Sequence, residues 1–443
     1  MGLEKTFNHV AKLANPYLSK LLRFERELAT DWKLEMDKAP PRRLLVNPSS
    51  EMGGVDANVV KKSAQLEKRN VDLRRPYRIL CLDGGGIRGV LTTTILKRIC
   101  EHNPKFLDNV DFICGTSAGG LLSLLLASGY TADECDAIYS FAAPHIFGHN
   151  PWRAINPFRA KYSDKAKQEL MEYYYGGRNM GDLQKACAVI AFRLDGRKSH
   201  THMLFNKEGW RPAVFSNIPR AASLVHPDVD LAVWDAAMRT SAAPTYFPVF
   251  RGYTDGGLIA NNPSMVAVTK AMAHYPNVNP KNIAVLSIGA GNFPRHTEML
   301  SKLSSRNENM AKFGAENPSD KNNMLWRADW GLKQWIPYLL DILMDGDSVT
   351  TEMVMHYLLA ASGLYHRIDP RLPRQIALDD VTAVQELKDF GNSVDLTETF
   401  KFVDEKFTYE EDFDNDVHNS LDSAGNYHDA WHNTVPQNRK EDM

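Results

Sequence analysis

The 443-residue sequence predicts an α/β domain in which a sheet is covered by helices. Two observations carry that expectation. From Tyr77 onward, short apolar runs alternate with amphipathic segments. Two of those runs also open directly into glycine-rich turns followed by apolar, helix-like stretches. The length exceeds the roughly 100 to 200 residues of an ordinary single core, so one large domain with extensions fits. With 43% hydrophobic and 24% charged residues, the composition is that of a globular protein and excludes a disordered chain or a fibre.

The candidate buried strands are residues 77–82, 110–114, 186–192 and 282–288. Before them, residues 1–76 read as a charged, partly helical extension with Leu18, Leu21, Leu22 and Leu28 near helical spacing and a break at Ala39-Pro40-Pro41. Its basic cluster of Lys61, Lys62, Lys68, Arg69, Arg74 and Arg75 reads as a solvated face. Beyond residue 300, Trp326, Trp330, Leu332, Trp335, Ile336, Leu339, Leu340 and Leu343 form a broad apolar helical stripe. Core packing against Met353, Val354, Tyr357 and Leu358 is the expectation there, with a lipid interface as the alternative. A main domain at 77–395 is then followed by an acidic, mobile tail at 396–443, where residues 410–443 alone hold nine acidic and two basic side chains. Asp412, Asp414 and Asp416 imitate an EF-hand start, but Val417 and Ser423 stand where glycine and glutamate are needed, so calcium is not expected.

A formal net charge of -2 gives no field that would gather nucleic acid. Five cysteines, four of them in or beside apolar runs, argue against a disulfide framework. No cationic leader and no apolar run of about 20 residues stand out, so an intracellular, cytoplasmic location is expected. The start Met1-Gly2-Leu3-Glu4-Lys5-Thr6 matches the loose acylation pattern, which chance also produces.

The first chemical signal is Asp83-Gly84-Gly85-Gly86-Ile87-Arg88-Gly89, between an apolar run and a helix-like segment at 90–100. Glycines allow close backbone approach, and a helix start offers free N–H donors to negative charge. Gly84, Gly86 and Gly89 also satisfy a dinucleotide fingerprint, yet the second apolar run does not end in the acidic residue that fingerprint wants. It opens instead into Gly115-Thr116-Ser117-Ala118-Gly119, a Gly-x-Ser-x-Gly elbow between a strand and an apolar helix. Gly115 and Gly119 relieve crowding in the sharp turn and leave the Ser117 hydroxyl exposed for attack. A serine needs a base, and Asp255 in Thr254-Asp255-Gly256-Gly257 is a candidate, although a turn aspartate would look the same. His200 and His202 show no zinc spacing, and no metal is expected.

Taken in order, the glycine block, the Ser117 elbow and Asp255-Gly256-Gly257 closely resemble patatin-like phospholipases. The resemblance extends through Ser241-Ala242-Ala243-Pro244-Thr245-Tyr246-Phe247, Asn261-Asn262-Pro263 and Asp341-Ile342-Leu343-Met344-Asp345-Gly346, over residues 77–370. It implies a three-layer α/β/α fold with a central, mostly parallel sheet. It further implies hydrolysis of glycerolipid acyl esters, with transient contact at a membrane surface and no cofactor. Ser117 would be the nucleophile, Asp255 the base, and Gly84, Gly85, Gly86 and Arg88 the oxyanion-stabilising loop. A Ser-Asp-His hydrolase using His274, His296, His356 or His366 stays open on the residues alone, as does a non-catalytic lipid-binding or storage protein.

Overall fold

The computed structural model describes residues 38–43, 75–148, 158–196, 209–218, 228–275, 277–293, 332–359 and 363–408. The leucine spacing near residue 20, the basic cluster up to Arg74, the acylation pattern, His200, His202, Trp326, Trp330 and the EF-hand imitation lie outside the described residues. In chain order the strands are β1 Tyr77–Leu82, β2 Phe112–Thr116, β3 Ala186–Arg193, β4 Arg211–Ser216, β5 Tyr253–Asp255, β6 Ile283–Ile288 and β7 Tyr365–Ile368. The longer helices are α1 Gly89–His102, α2 Ser117–Ala127, α3 Ala132–Ile146, α4 Lys165–Tyr175 and α5 Val233–Thr240. They continue with α6 Ser264–His274, α7 Leu332–Leu359, α8 Val384–Ser393 and α9 Thr397–Lys406.

The sheet runs β4-β3-β2-β1-β6-β7, with β5 also paired to β3. The pairings among β1, β2, β3, β6 and β7 are parallel, while β4 and β5 run antiparallel to β3. Parallel strands are buried on both faces, which explains their near-continuous apolar runs. Alternation sorts the side chains: Leu80, Leu82, Ile113, Val189 and Leu286 join one core, and Ile79, Cys81, Phe112, Ile190 and Val285 the other. The first core is completed by α1 to α5, α8 and α9, the second by α6 and α7. The result is the expected α/β architecture, a mixed, mostly parallel sheet flanked by helices. Each fully buried leucine or isoleucine here contributes about 1.5–3 kcal/mol.

All four expected strands form. The second begins two residues later than its apolar run because Asp111 is claimed by the Arg75 guanidinium at 2.6 and 2.8 Å and by the Arg78 amide at 2.9 Å. Strand β4 carries Pro212 and accordingly lies at the sheet edge. All five cysteines are free.

Two expectations need correction. The packed structure does not stop at 395: α9 buries Phe402 and Val403, and Phe407 beyond it is fully buried, so the ordered domain runs through the first part of the proposed tail. From Leu332 onward, the stripe read as core lies in one helix with its supposed packing partner. Among the described side chains of α7, one narrow line points inward, including Met344, Thr351, Met355 and Leu359. Leu339, Ile342, Leu343, Val349, Met353 and Tyr357 are exposed, because the apolar face is wider than the contact available to it. Among the described residues no helix is long and apolar enough to cross a membrane.

Candidate active site

The carboxyl ends of β1 and β2 deliver the two glycine turns side by side, since Leu82 pairs with Gly115 in the register of the two strands. At the second turn the chain enters α2 at Ser117, whose φ of 51° lies in the left-handed region. For a residue with a Cβ this costs on the order of 1–3 kcal/mol and persists only when the surroundings hold it. Holding comes from Thr240 Oγ1, which accepts the Ser117 N–H at 3.0 Å, and from Thr116 Oγ1, which donates to Ala260 O at 2.6 Å. A Cβ on Gly115 would sit 2.2 Å from Gly119 O, and one on Gly119 only 2.1 Å from Leu82 O. Neither position accepts a side chain while helix and strand keep this approach.

Asp255 ends β5, beside Ala191 of β3, and its N–H donates to Ala242 O at 3.0 Å. Its Oδ2 accepts the Ser117 hydroxyl at 2.6 Å and its Oδ1 accepts the Gly257 N–H at 2.7 Å. Burial pushes the Asp255 carboxyl up to about 6, against the opposing effects of the Ser117 and Gly257 hydrogen bonds and the Lys167 charge. A carboxylate with raised proton affinity, hydrogen-bonded to a strained serine hydroxyl, is an arrangement able to take up that proton.

In the first turn, Gly84 N–H donates to Asn261 O at 3.1 Å, Arg88 N–H to Gly85 O at 3.1 Å and the Arg88 guanidinium to Gly291 O at 3.1 Å. The amides of Gly85 and Gly86 meet no acceptor among the described residues. Of the four residues expected to stabilise an oxyanion, Gly84 and Arg88 therefore spend their amides inside the fold. Gly85 and Gly86 keep theirs. Gly86 has a φ of +56°, and a Cβ there would meet Leu378 O at 2.3 Å. Beneath the turn, Asp83 accepts from Arg367 at 2.7 and 3.2 Å, and Arg367 also reaches Ser287 Oγ at 2.8 Å.

Ser117, Asp255 and Gly86 open onto one cavity of about 90 Å³, many times the ~10–15 Å³ that one water needs. Its wall is apolar, built from residues such as Leu121, Leu125, Ile138, Ala142 and Met171, and closed on the α7 side by Leu340 and Met344. Its charged lining residues, among those described, are Asp255 and Lys167. No group of three or more His, Cys, Asp or Glu side chains among the described residues could hold a metal ion.

Residues 80–268 match the family model for patatin-like phospholipase. Over that span, less than half of its length, the chain resembles patatin-like phospholipases. Along the sequence, CotR of Bacillus subtilis (strain 168) is 26% identical over 348 residues, covering 75% of this chain and 98% of that protein. A cGAMP-activated phospholipase of Escherichia coli (strain TW11681) is 34% identical over 234 residues, covering 48% of this chain and 61% of its own. The 85/88 kDa calcium-independent phospholipase A2 of Mus musculus is 24% identical over 368 residues, covering 80% of this chain and 43% of its own. The chain thus spans less than two thirds of those two phospholipases.

Among the described residues, the histidines considered as third members of a triad stand apart from the site. His366 Nε2 lies 2.9 Å from Thr399 Oγ1, His356 is exposed on α7, His274 ends α6 in the other helical layer, and His296 lies outside the described residues. No histidine is among the described residues lining the cavity. Two neighbours of the site were not singled out in the sequence. Thr240 gave no signal, since its role depends on folding alone. Lys167 did: Lys167, Leu170, Met171, Tyr174 and Tyr175 share one helical face, and all five are buried. A lysine in an apolar stripe is conspicuous.

Proposed function

We propose that this protein hydrolyses acyl esters of glycerolipids in the manner of a phospholipase A, through an acyl-serine on Ser117 with Asp255 as the base. The observation that carries the reading is the 2.6 Å hydrogen bond from Ser117 Oγ to Asp255 Oδ2 at the wall of an apolar cavity. As Oγ attacks the ester carbonyl, Asp255 takes its proton and the carbonyl oxygen becomes negative. The free amides of Gly85 and Gly86 are the donors available to that oxygen, and losing one such donor costs about 10²- to 10³-fold in rate. Collapse expels the alcohol with the proton from Asp255. Water, deprotonated in turn by Asp255, then attacks the acyl-serine, releasing the acid and the free hydroxyl.

The family match and the phospholipases among the relatives support lipid as the substrate class. The apolar lining suits an acyl chain. Contact with a membrane surface is supported by α7, whose exposed Leu339, Ile342 and Leu343 adjoin Leu340 and Met344 at the cavity, so the same helix could meet lipid and border the site. A cytoplasmic protein that touches membranes transiently is the matching location. The test is hydrolysis of a short-chain nitrophenyl ester and of mixed phospholipid vesicles in EDTA. Activity should disappear in Ser117→Ala and Asp255→Ala with melting temperatures retained, and undiminished turnover in either variant would reject the dyad.

A further inference from the structure

Among the described residues lining the cavity, Lys167 is the one charge that the chemistry above leaves unused. It stands in the first turn of α4 and is 1% exposed. Lysine is almost never fully buried unless it is paired, because desolvating an ammonium is costly. Here Nζ donates to Ser241 O at 2.7 Å and lies 3.8 Å from the centre of the Phe247 ring, a cation over a π face.

The carbonyl it grips is the middle of three consecutive residues that hold the site. Thr240 Oγ1 accepts the Ser117 N–H at 3.0 Å, Ser241 O accepts from Lys167, and Ala242 O accepts the Asp255 N–H at 3.0 Å. The ammonium is thus fastened to the strip from which both the serine and the aspartate are suspended. Among the described residues, Asp255 from β5 and Asp164 before α4 act on its charge, and Tyr174 and Tyr175 of α4, Tyr139 of α3 and Tyr246 after α5 line the same cavity. Burial pushes Tyr139, Tyr174 and Tyr175 above the ordinary tyrosine range, so these three stay neutral at working pH.

We propose that Lys167 is a positioning residue of this site, bracing the 240–242 strip and holding the Asp255 carboxylate charged in a dry cavity. The proposal rests on the Ser117–Asp255 reading and adds to it the group that makes an isolated, buried carboxylate usable as a base. Burial lowers the Lys167 ammonium to about 7 while the Asp255 charge opposes that effect. With Asp255 raised to about 6, both groups are charged between those values.

The experiment is the pH dependence of kcat/KM for p-nitrophenyl butyrate in the full chain, wild type against Lys167→Met, Lys167→Gln and Lys167→Arg. Losing a nearby opposite charge should move the acid limb of the neutral variants upward by about one pH unit. At pH 6 their activity relative to wild type then falls roughly fivefold further than at pH 8. Lys167→Arg should leave the limb at its wild-type position even where kcat drops. Lys167→Gln keeps a donor for Ser241 O without the charge, and carries the test should Lys167→Met not fold. A folded neutral variant whose limb does not move overturns the proposal, whatever happens to kcat, since a purely structural filler lowers activity at every pH alike. Failure of the underlying reading looks different: hydrolysis by the wild type would then survive Ser117→Ala.

Discussion

A single methyl group at Gly119 should disable the site while sparing most of the fold. Its Cβ would stand 2.1 Å from Leu82 O and 2.5 Å from Asp83 O, backbone atoms at the end of β1. Ordinary contact begins near 3.4 Å, so 3.4 less 2.1 leaves a displacement of about 1.3 Å to be absorbed. Neither partner is a flexible side chain. The start of α2 must back away from β1, carrying Ser117 with it and away from the amides of Gly85 and Gly86. Misplacement by about 1 Å costs on the order of 10²-fold in rate, whereas overpacking of this kind costs about 1–3 kcal/mol of stability. The assay is kcat/KM on a short nitrophenyl ester beside a thermal melt. Gly346→Ala is the control, because a Cβ there meets nothing within 4 Å. Gly119→Ala retaining more than half of wild-type kcat/KM would refute the account of the elbow.

Three other outcomes are expected. The kcat/KM profile of the wild type should rise with pH through an apparent value near 6, because Asp255 must be ionised to act and its carboxyl is pushed up to about 6. The same shift sets a stability trend: the folded carboxyl binds its proton more tightly than the unfolded one, so this group's contribution to stability declines as pH rises from about 4 to about 6, which urea melts at those pH values would detect. Arg367→Met should lower stability by about 3–5 kcal/mol, since it leaves the buried Asp83 carboxylate without its partner under the glycine turn; a chemical denaturation curve reads this directly.

The central sheet was legible because each parallel strand is buried on both faces and must be apolar nearly throughout, as at 77–82 and 283–288. The elbow was legible for a different reason: only glycine fits where Gly115 and Gly119 stand. Short or edge strands such as β5 and β4 carry no such demand, and they passed unnoticed. Helix α7 misled because an apolar stripe shows that a face avoids water without showing what covers it. The contacts of Thr240 with Ser117 and of Lys167 with Ser241 span 123 and 74 residues, and no local pattern encodes either pairing. The division of the glycine loop into spent and free amides was equally hidden, since it depends on where Asn261 O arrives.

The most direct measurement is mass spectrometry of the protein after exposure to a fluorophosphonate, with the modified peptide sequenced. A Ser117 oxygen activated by Asp255 should yield one adduct, on Ser117, formed rapidly in the wild type and at background rate in Asp255→Asn. An enzyme that hydrolyses ester while its adduct falls on another residue, or that labels Ser117 equally fast without the Asp255 carboxylate, would contradict the account.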